Sequence, residues 1–473
     1  DMEEGGLSGT VNVRTARPLT IGEQRLALSS FASWESNSGK VAPRLSGLYS
    51  NTFADDRLGV LVAGAYTERR PETHRILMSS YRALNELDGG SATNSLPADF
   101  NGDGEITDTF VNVPRGTRTE ILKEDRKRAS LAAVVEYDAT DNLRLFVEGF
   151  YSKLNVESES LENLHLLFQA TGDNFDPSGT QVTTIDGVDP SLPLFGNEFG
   201  LVLGLDNADI RGNSRTEQRK AETYSITAGG EYTKGPWTVN AEFNYSNSDQ
   251  LADNLNLAQI QRFGITTILV PGAEIPGIAY NAESDARRLD PNQGIVASVN
   301  GPFERLSTDE IVEGALDIEK AIYDNIITSV KFGVKFTDRQ QFADGRTLVV
   351  PAADFGPLAG LEATTAQASG FNVAPYTQLV TPGRGDFLGT YSGDVPFVSE
   401  WIATDTLAVL DDFTMEELLA AGFINENQAS WVDVKEKVFS AYAMANFEDE
   451  SGRITGNFGV RLVHTKQDSV GIA

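Results

Sequence analysis

An acidic chain of 473 residues, with a formal net charge of −30 and a sequence pI near 4.4, lacks the basic face that nucleic-acid phosphates require. Cysteine is absent, so a disulfide framework, a thiol nucleophile and a thiolate metal site are all excluded. Apolar residues make up 40% of the chain and none of their runs reaches the roughly eighteen needed for a spanning helix, whereas the alternating strands of a β-barrel barely register in hydropathy and stay open. The chain opens on Asp1 with neither a basic n-region nor an apolar h-region, so it is expected to be a mature or truncated sequence. Residues 5–19 read GGLSGTVNVRTARPL, in which 10–14 predicts a short strand entered through glycines and stopped by Pro18. A period of two then predicts strands at about 23–35, 42–51, 57–69, 127–138, 142–154, 221–233, 237–249, 308–320, 326–338, 435–447 and 453–466.

The hairpin at 221–249 shows the pattern most fully. On its first arm Tyr224, Ile226, Ala228, Gly230 and Tyr232 alternate with Thr223, Ser225, Thr227, Gly229 and Glu231. On the second, Trp237, Val239, Ala241, Phe243 and Tyr245 alternate with Thr238, Asn240, Glu242, Asn244 and Ser246, across the turn at Lys234, Gly235 and Pro236. Aromatic residues bracket each apolar face. Eight residues make about 26 Å of strand, and a tilt of about 40° turns this into an apolar band about 20 Å tall, close to the roughly 25 Å band of an outer-membrane barrel. A soluble β-sandwich carries the same alternation, so the hairpin alone leaves both architectures open.

The connections discriminate between them. Short turns near 54–56, 139–141, 234–236, 323–325 and 449–451 alternate with long segments at about 70–126, 155–220, 250–307 and 339–434, the one short exception on the long side being 36–41. A sandwich has no reason to keep that asymmetry through four successive hairpins, whereas a transmembrane antiparallel up-and-down β-barrel is built this way. Residues 5–19 then resemble the end of the plug domain of TonB-dependent outer-membrane receptors, where a glycine-led strand leads into the first barrel strand. Gly5, Gly6, Gly9, Thr10, Val11, Asn12, Thr15 and Pro18 carry that resemblance.

The resemblance implies an all-β fold: a C-terminal plug end at 1–19, followed by the N-terminal half of a barrel at 20–473, about eleven of twenty-two strands, with long extracellular loops. It implies integral localisation in a bacterial outer membrane, active uptake of a scarce nutrient (a siderophore, a cofactor or an oligosaccharide), and a TonB complex as partner through an absent N-terminal region. The alternatives are a passive porin-like channel or a barrel-borne surface adhesin, and a soluble carbohydrate-binding or hydrolytic β-protein.

Three local features suggest chemistry. Asp99, Asn101, Asp103 and Glu105 with the turning Gly104 resemble a calcium loop, because hard oxygen ligands at that spacing suit Ca²⁺; Phe110 stands where a bidentate acid is expected, with Asp108 as a substitute. The bland reading is a polar turn in a surface loop, and no cofactor is otherwise required. Arg69, Arg70, Arg126, Lys127 and Arg128 end or begin strands at the expected outer rim, where they could meet lipopolysaccharide phosphates; the rival reading turns them into the lumen, paired with acids. Residues 413–422 read as a capped helix, and Tyr280, Phe371, Tyr376, Tyr391, Trp401 and Trp431 as anchors of loop cores or stacking platforms. His74, His165 and His464 are isolated, and neither HExxH nor GxSxG occurs, so catalysis is not expected.

Overall fold

Side chains that alternate in polarity can satisfy both a packed or lipid-facing side and a wet one only if the backbone is extended, and that is the state of most of this chain. The computed structural model describes residues 15–78, 81–83, 112–114, 116–166, 182–186, 201–269, 275–293, 295–323, 326–350, 374–393, 395–406, 408, 424–425, 431–449 and 453–471. Eleven strands form its main path: β1 (Arg25–Trp34), β2 (Val41–Phe53), β3 (Leu58–Arg69), β4 (Gly116–Thr140), β5 (Leu143–Leu166), β6 (Leu201–Lys234), β7 (Trp237–Leu269), β8 (Ile295–Ala321), β9 (Ile327–Val350), β10 (Val432–Glu448) and β11 (Thr455–Gly471). Each pairs antiparallel with its neighbour in sequence.

All eleven predicted strands are present in the predicted order, with short connections at one end of the sheet and, apart from the short β1–β2 connection at 35–40, long ones at the other. Among the described residues no pairing joins β1 to β11, so no closed barrel forms and each of these strands keeps an edge, as eleven strands of a twenty-two-strand barrel would. The strands also run well beyond their predicted limits. β6 has 34 residues and β7 has 33, and much of what reads as loop in sequence is strand. The reason is compositional. In a stretch such as Arg211-Gly212-Asn213-Ser214-Arg215-Thr216-Glu217 both faces are polar, so the hydrophobic period that betrays a strand is lost.

The two faces follow from register. A line of paired residues crosses ten strands through Phe53, Leu58, Tyr137, Leu145 and Gly230, then Ala241, Leu316, Val334, Ala441 and Leu462, with no polar side chain in it. Shifted by one residue, the opposite face is held together by cross-strand polar contacts. Asn244 Nδ2 donates to Thr227 Oγ1 at 2.8 Å, Asn446 Nδ2 to Ser329 Oγ at 2.8 Å, and Lys335 pairs with Glu313 at 2.9 Å. On this polar face sits the short helix α1 (Pro18–Ile21). Pro18 opens a helical turn, which Gly22 closes at φ +66; the strand expected at 10–14 lies outside the described residues. The Leu19 amide donates to Glu136 at 2.9 Å, Arg17 pairs with Glu148 at 3.5 Å, and the Arg17 guanidinium lies 4.2 Å over the Phe146 ring. Phe146 in turn leans over Gly229, where a Cβ would come within 2.7 Å of the ring.

The apolar face is divided into three zones by height. On β5 it begins near the short turn with Leu145, Val147 and Tyr151, all well exposed; it continues through Lys153, Asn155 and Glu157; it ends with Leu161 and His165, both fully buried. β6 repeats the order with Ile226 and Tyr224, then Glu222, Lys220 and Gln218, then the buried Thr216, Ser214 and Ile210. Residues 374–406 and 275–293 cover that upper zone, where Ile121, Leu161, Ile278, Val380, Phe387 and Trp401 form an apolar core. A second short helix, α2 (Ala282–Arg287), is capped there by Asn281, whose Oδ1 accepts from the Ser284 amide at 2.8 Å. No described helix is long and apolar enough to cross a membrane.

Candidate binding site on the polar face

Alternation places every second residue of neighbouring strands on one surface, so basic residues of matching parity converge even when they are far apart in sequence. Arg44 on β2, Arg69 on β3 and Arg118, Arg126 and Arg128 on β4 line one cavity of about 760 Å³ on the polar face. Arg75, from the strand Glu72–Met78 that pairs with β4, and Arg215 and Arg219 on β6 complete it. Five strands at about 4.8 Å spacing would hold β2 and β6 about 19 Å apart on a flat sheet, so a shared cavity requires the sheet to curve toward this face.

Four glutamates stand among the eight arginines, leaving an excess of four positive charges in a protein that is acidic overall. Glu120 is 2% exposed; its Oε1 accepts from Arg75 Nη2 and from Ser160 Oγ, both at 2.7 Å. That hydrogen bond holds the Arg75 guanidinium above its already high pKa. Glu162 accepts from Arg118 Nη1 at 3.3 Å and from Asn213 Nδ2 at 3.3 Å. Glu124 accepts from Arg126 at 2.6 Å, and Glu217 is shared between Arg215 at 3.0 Å and Arg219 at 2.7 Å. Arg69 reaches Glu35 only at 3.9 Å. Among the described residues Arg44 and Arg128 have no carboxylate within ion-pair distance. Leu122, Leu154 and Val156 add apolar surface, and Ser158 and Ser160 add hydroxyls. Such a surface can hold an anion through planar guanidinium forks already oriented by their own carboxylates.

The structure separates the five basic residues expected to face lipid headgroups. Arg69, Arg126 and Arg128 line the polar-face cavity. Arg70 and Lys127 lie on the other face, in the charged belt above the apolar band, where Asp125 pairs with Arg70 at 3.4 Å and with Lys127 at 3.7 Å. Parity along each strand marks the face of these side chains: Arg126 and Arg128 are in step with Ser130, and Arg215 and Arg219 are in step with Thr223, while Lys127 is in step with Leu131.

Of the plug-to-barrel residues, Thr15 and Pro18 are described, and Gly5, Gly6, Gly9, Thr10, Val11 and Asn12 lie outside the described residues, as do the calcium-like Asp99, Asn101, Asp103 and Glu105, the 413–422 segment and Phe371. Among the described residues no three metal-ligating side chains come together. Tyr280, Tyr376 and Trp401 are anchors of the upper core, Tyr391 packs against Phe397 with ring centroids 5.7 Å apart, and Trp431 meets Phe342 at 6.3 Å. His74 stacks on Phe387 at 5.1 Å and meets Glu72 at 2.8 Å, while His165 meets the Tyr280 hydroxyl at 2.8 Å. The chain matches no protein-family profile, no curated protein and no solved structure.

Proposed function

We propose that this chain is part of an outer-membrane β-barrel that takes up a scarce nutrient, in the manner of the TonB-dependent receptors its 5–19 segment resembles. The observation that carries the reading is the division of the apolar face. The protein covers that face with its own residues 374–406 in the upper zone and leaves it bare below, where Val147, Ile226, Phe243 and Phe332 are each exposed by 47–54%. In water each such half-exposed side chain forfeits about half of the roughly 1.5–3 kcal/mol that full burial gives, and a contiguous patch of this kind is rare on a soluble monomer. Lipid would cover it. The aromatic residues fall at the band limits: Tyr224 and Tyr245 in contact at 6.0 Å at the top, and Trp237 at the bottom with Lys320 5.2 Å over its ring. Active uptake rather than an open pore is supported by residues 15–22, which lie against the polar face that would line the lumen, held by Glu136, Glu148 and Phe146.

The test uses a variant in which Trp34, Trp401 and Trp431 are Phe, so that Trp237 reports alone. In lipid vesicles its fluorescence should be quenched by lipids brominated near the headgroup more than by lipids brominated near the chain end. Fluorescence that no brominated lipid quenches, in protein that stays soluble without detergent, would refute the membrane reading.

A further inference from the structure

We infer that the arginine-lined cavity recognises a small anion carrying at least two oxyanion groups, carboxylate or phosphate; this rests on the reading that the polar face lines a transport path. A lattice of cross-strand ion pairs would consume its charges one for one. Among the described residues the lattice is incomplete, because eight arginines face four glutamates. The two arginines that have no carboxylate partner among the described residues are also neighbours. Arg44 pairs in register with Thr67, and Thr67 with Arg128, so the two guanidinium groups flank one threonine from strands about 10 Å apart. Side chains of that length can close on a single carboxylate or phosphate, with Thr67 between them also lining the cavity. A second cationic pair, Arg215 and Arg219, is held by Glu217 on β6 across the same cavity. Leu122, Leu154 and Val156 offer the apolar surface that a carbon skeleton needs between its charged ends. The volume of about 760 Å³ falls in the range of small-molecule sites, roughly 300–1,000 Å³.

The overall charge of −30 sharpens the inference. Long-range attraction would gather cations at this protein, so an anion has to be selected by local geometry rather than by the protein's general field. Short-range bidentate contacts do that and survive moderate salt better than diffuse attraction does.

Isothermal titration of the detergent-solubilised full chain with trigalacturonate, pyrophosphate and the neutral maltotriose tests this. At least one anion is expected to bind, with maltotriose showing no measurable heat. The double variant Arg44→Gln/Arg128→Gln should weaken that anion by about tenfold to hundredfold, as expected for charge-assisted hydrogen bonds lost at one group. Arg128→Lys, which keeps the charge and loses the fork, should fall between. Binding of trigalacturonate alone assigns carboxylate, and binding of pyrophosphate alone assigns phosphate. Maltotriose binding as tightly as the anions, an unchanged affinity in the double variant, or no binding of either anion overturns the inference. Quenching of Trp237 by brominated lipid in the same preparations reads the membrane assignment separately, so the two failures are distinguishable.

Discussion

Tyr442 crosses from β10 over β9 to donate a hydrogen bond to Asp317 on β8, and Gly333 is the residue beneath it. A Cβ at Gly333 would overlap the Tyr442 ring and the Asp317 carboxylate. Gly333→Ala should therefore cost about 2–4 kcal/mol, combining overpacking with a lost charge-assisted hydrogen bond. Gly314→Ala, where an added Cβ meets nothing within 4 Å, should be close to neutral; chemical unfolding of the two variants checks the contrast. His165 supplies a pH dependence. Burial brings its pKa from 6.5 to about 3, and burial also pushes its partner Tyr280 up to about 12. The unfolded chain takes up a proton below about pH 6.5 while the folded one does not, so stability present above that pH is lost as the pH falls toward 3, by about 2 kcal/mol between pH 6.5 and 4.5. Glu159, raised mainly by burial, works in the opposite sense, so the histidine is isolated only by comparison with His165→Gln. Amides of 161–166 and 277–280 should lose hydrogen-exchange protection on acidification more steeply in the wild type than in that variant.

Among the elements, the strands that were legible from sequence are those that keep one greasy side. β6 and β7 between Tyr224 and Tyr245 declare themselves because Ile226, Ala228, Val239 and Phe243 alternate with Thr227, Asn240 and Asn244. Their upper halves do not. There the chain buries Ser214, Thr216, Gln259 and Gln261 beneath residues 374–406 and 275–293, and a polar residue covered by another segment looks in sequence like a polar residue in water. The band also makes a directional prediction. Ala241 is the middle of the five apolar-face positions from Trp237 to Tyr245, so Ala241→Arg should cost about 2–4 kcal/mol for folding into a bilayer. Asn240→Arg, one residue away on the polar face, should cost well under half of that. Unfolding titrations in vesicles measure both, and equal losses would contradict a lipid-facing band.

At the scale of the whole molecule, the meander was legible because turn residues and strand spacing are local properties, whereas the cavity depends on the phase relation of strands separated by long insertions. Arg44 and Arg219 share a wall only because four intervening pairings hold their register. The open sheet has a consequence of its own: among the described residues β1 and β11 each present an unpaired row of amides and carbonyls. The 473-residue chain on its own in detergent should associate through these rows, and light scattering should find dimers or larger species; a stable monomer with slowly exchanging edge amides would argue against it.

The Gly383 amide donates to Glu72 at 2.8 and 3.0 Å, and these residues stand 311 positions apart. Bringing such distant points together carries an entropic penalty of roughly 5 kcal/mol unless the chain between them is already ordered. The intervening strands must therefore be in register before this fastening can hold, which makes it a late event in assembly and an early casualty of any slip between β3 and β9. Its closure is a built-in proofreading signal: a roof that seats only on a correctly laid wall.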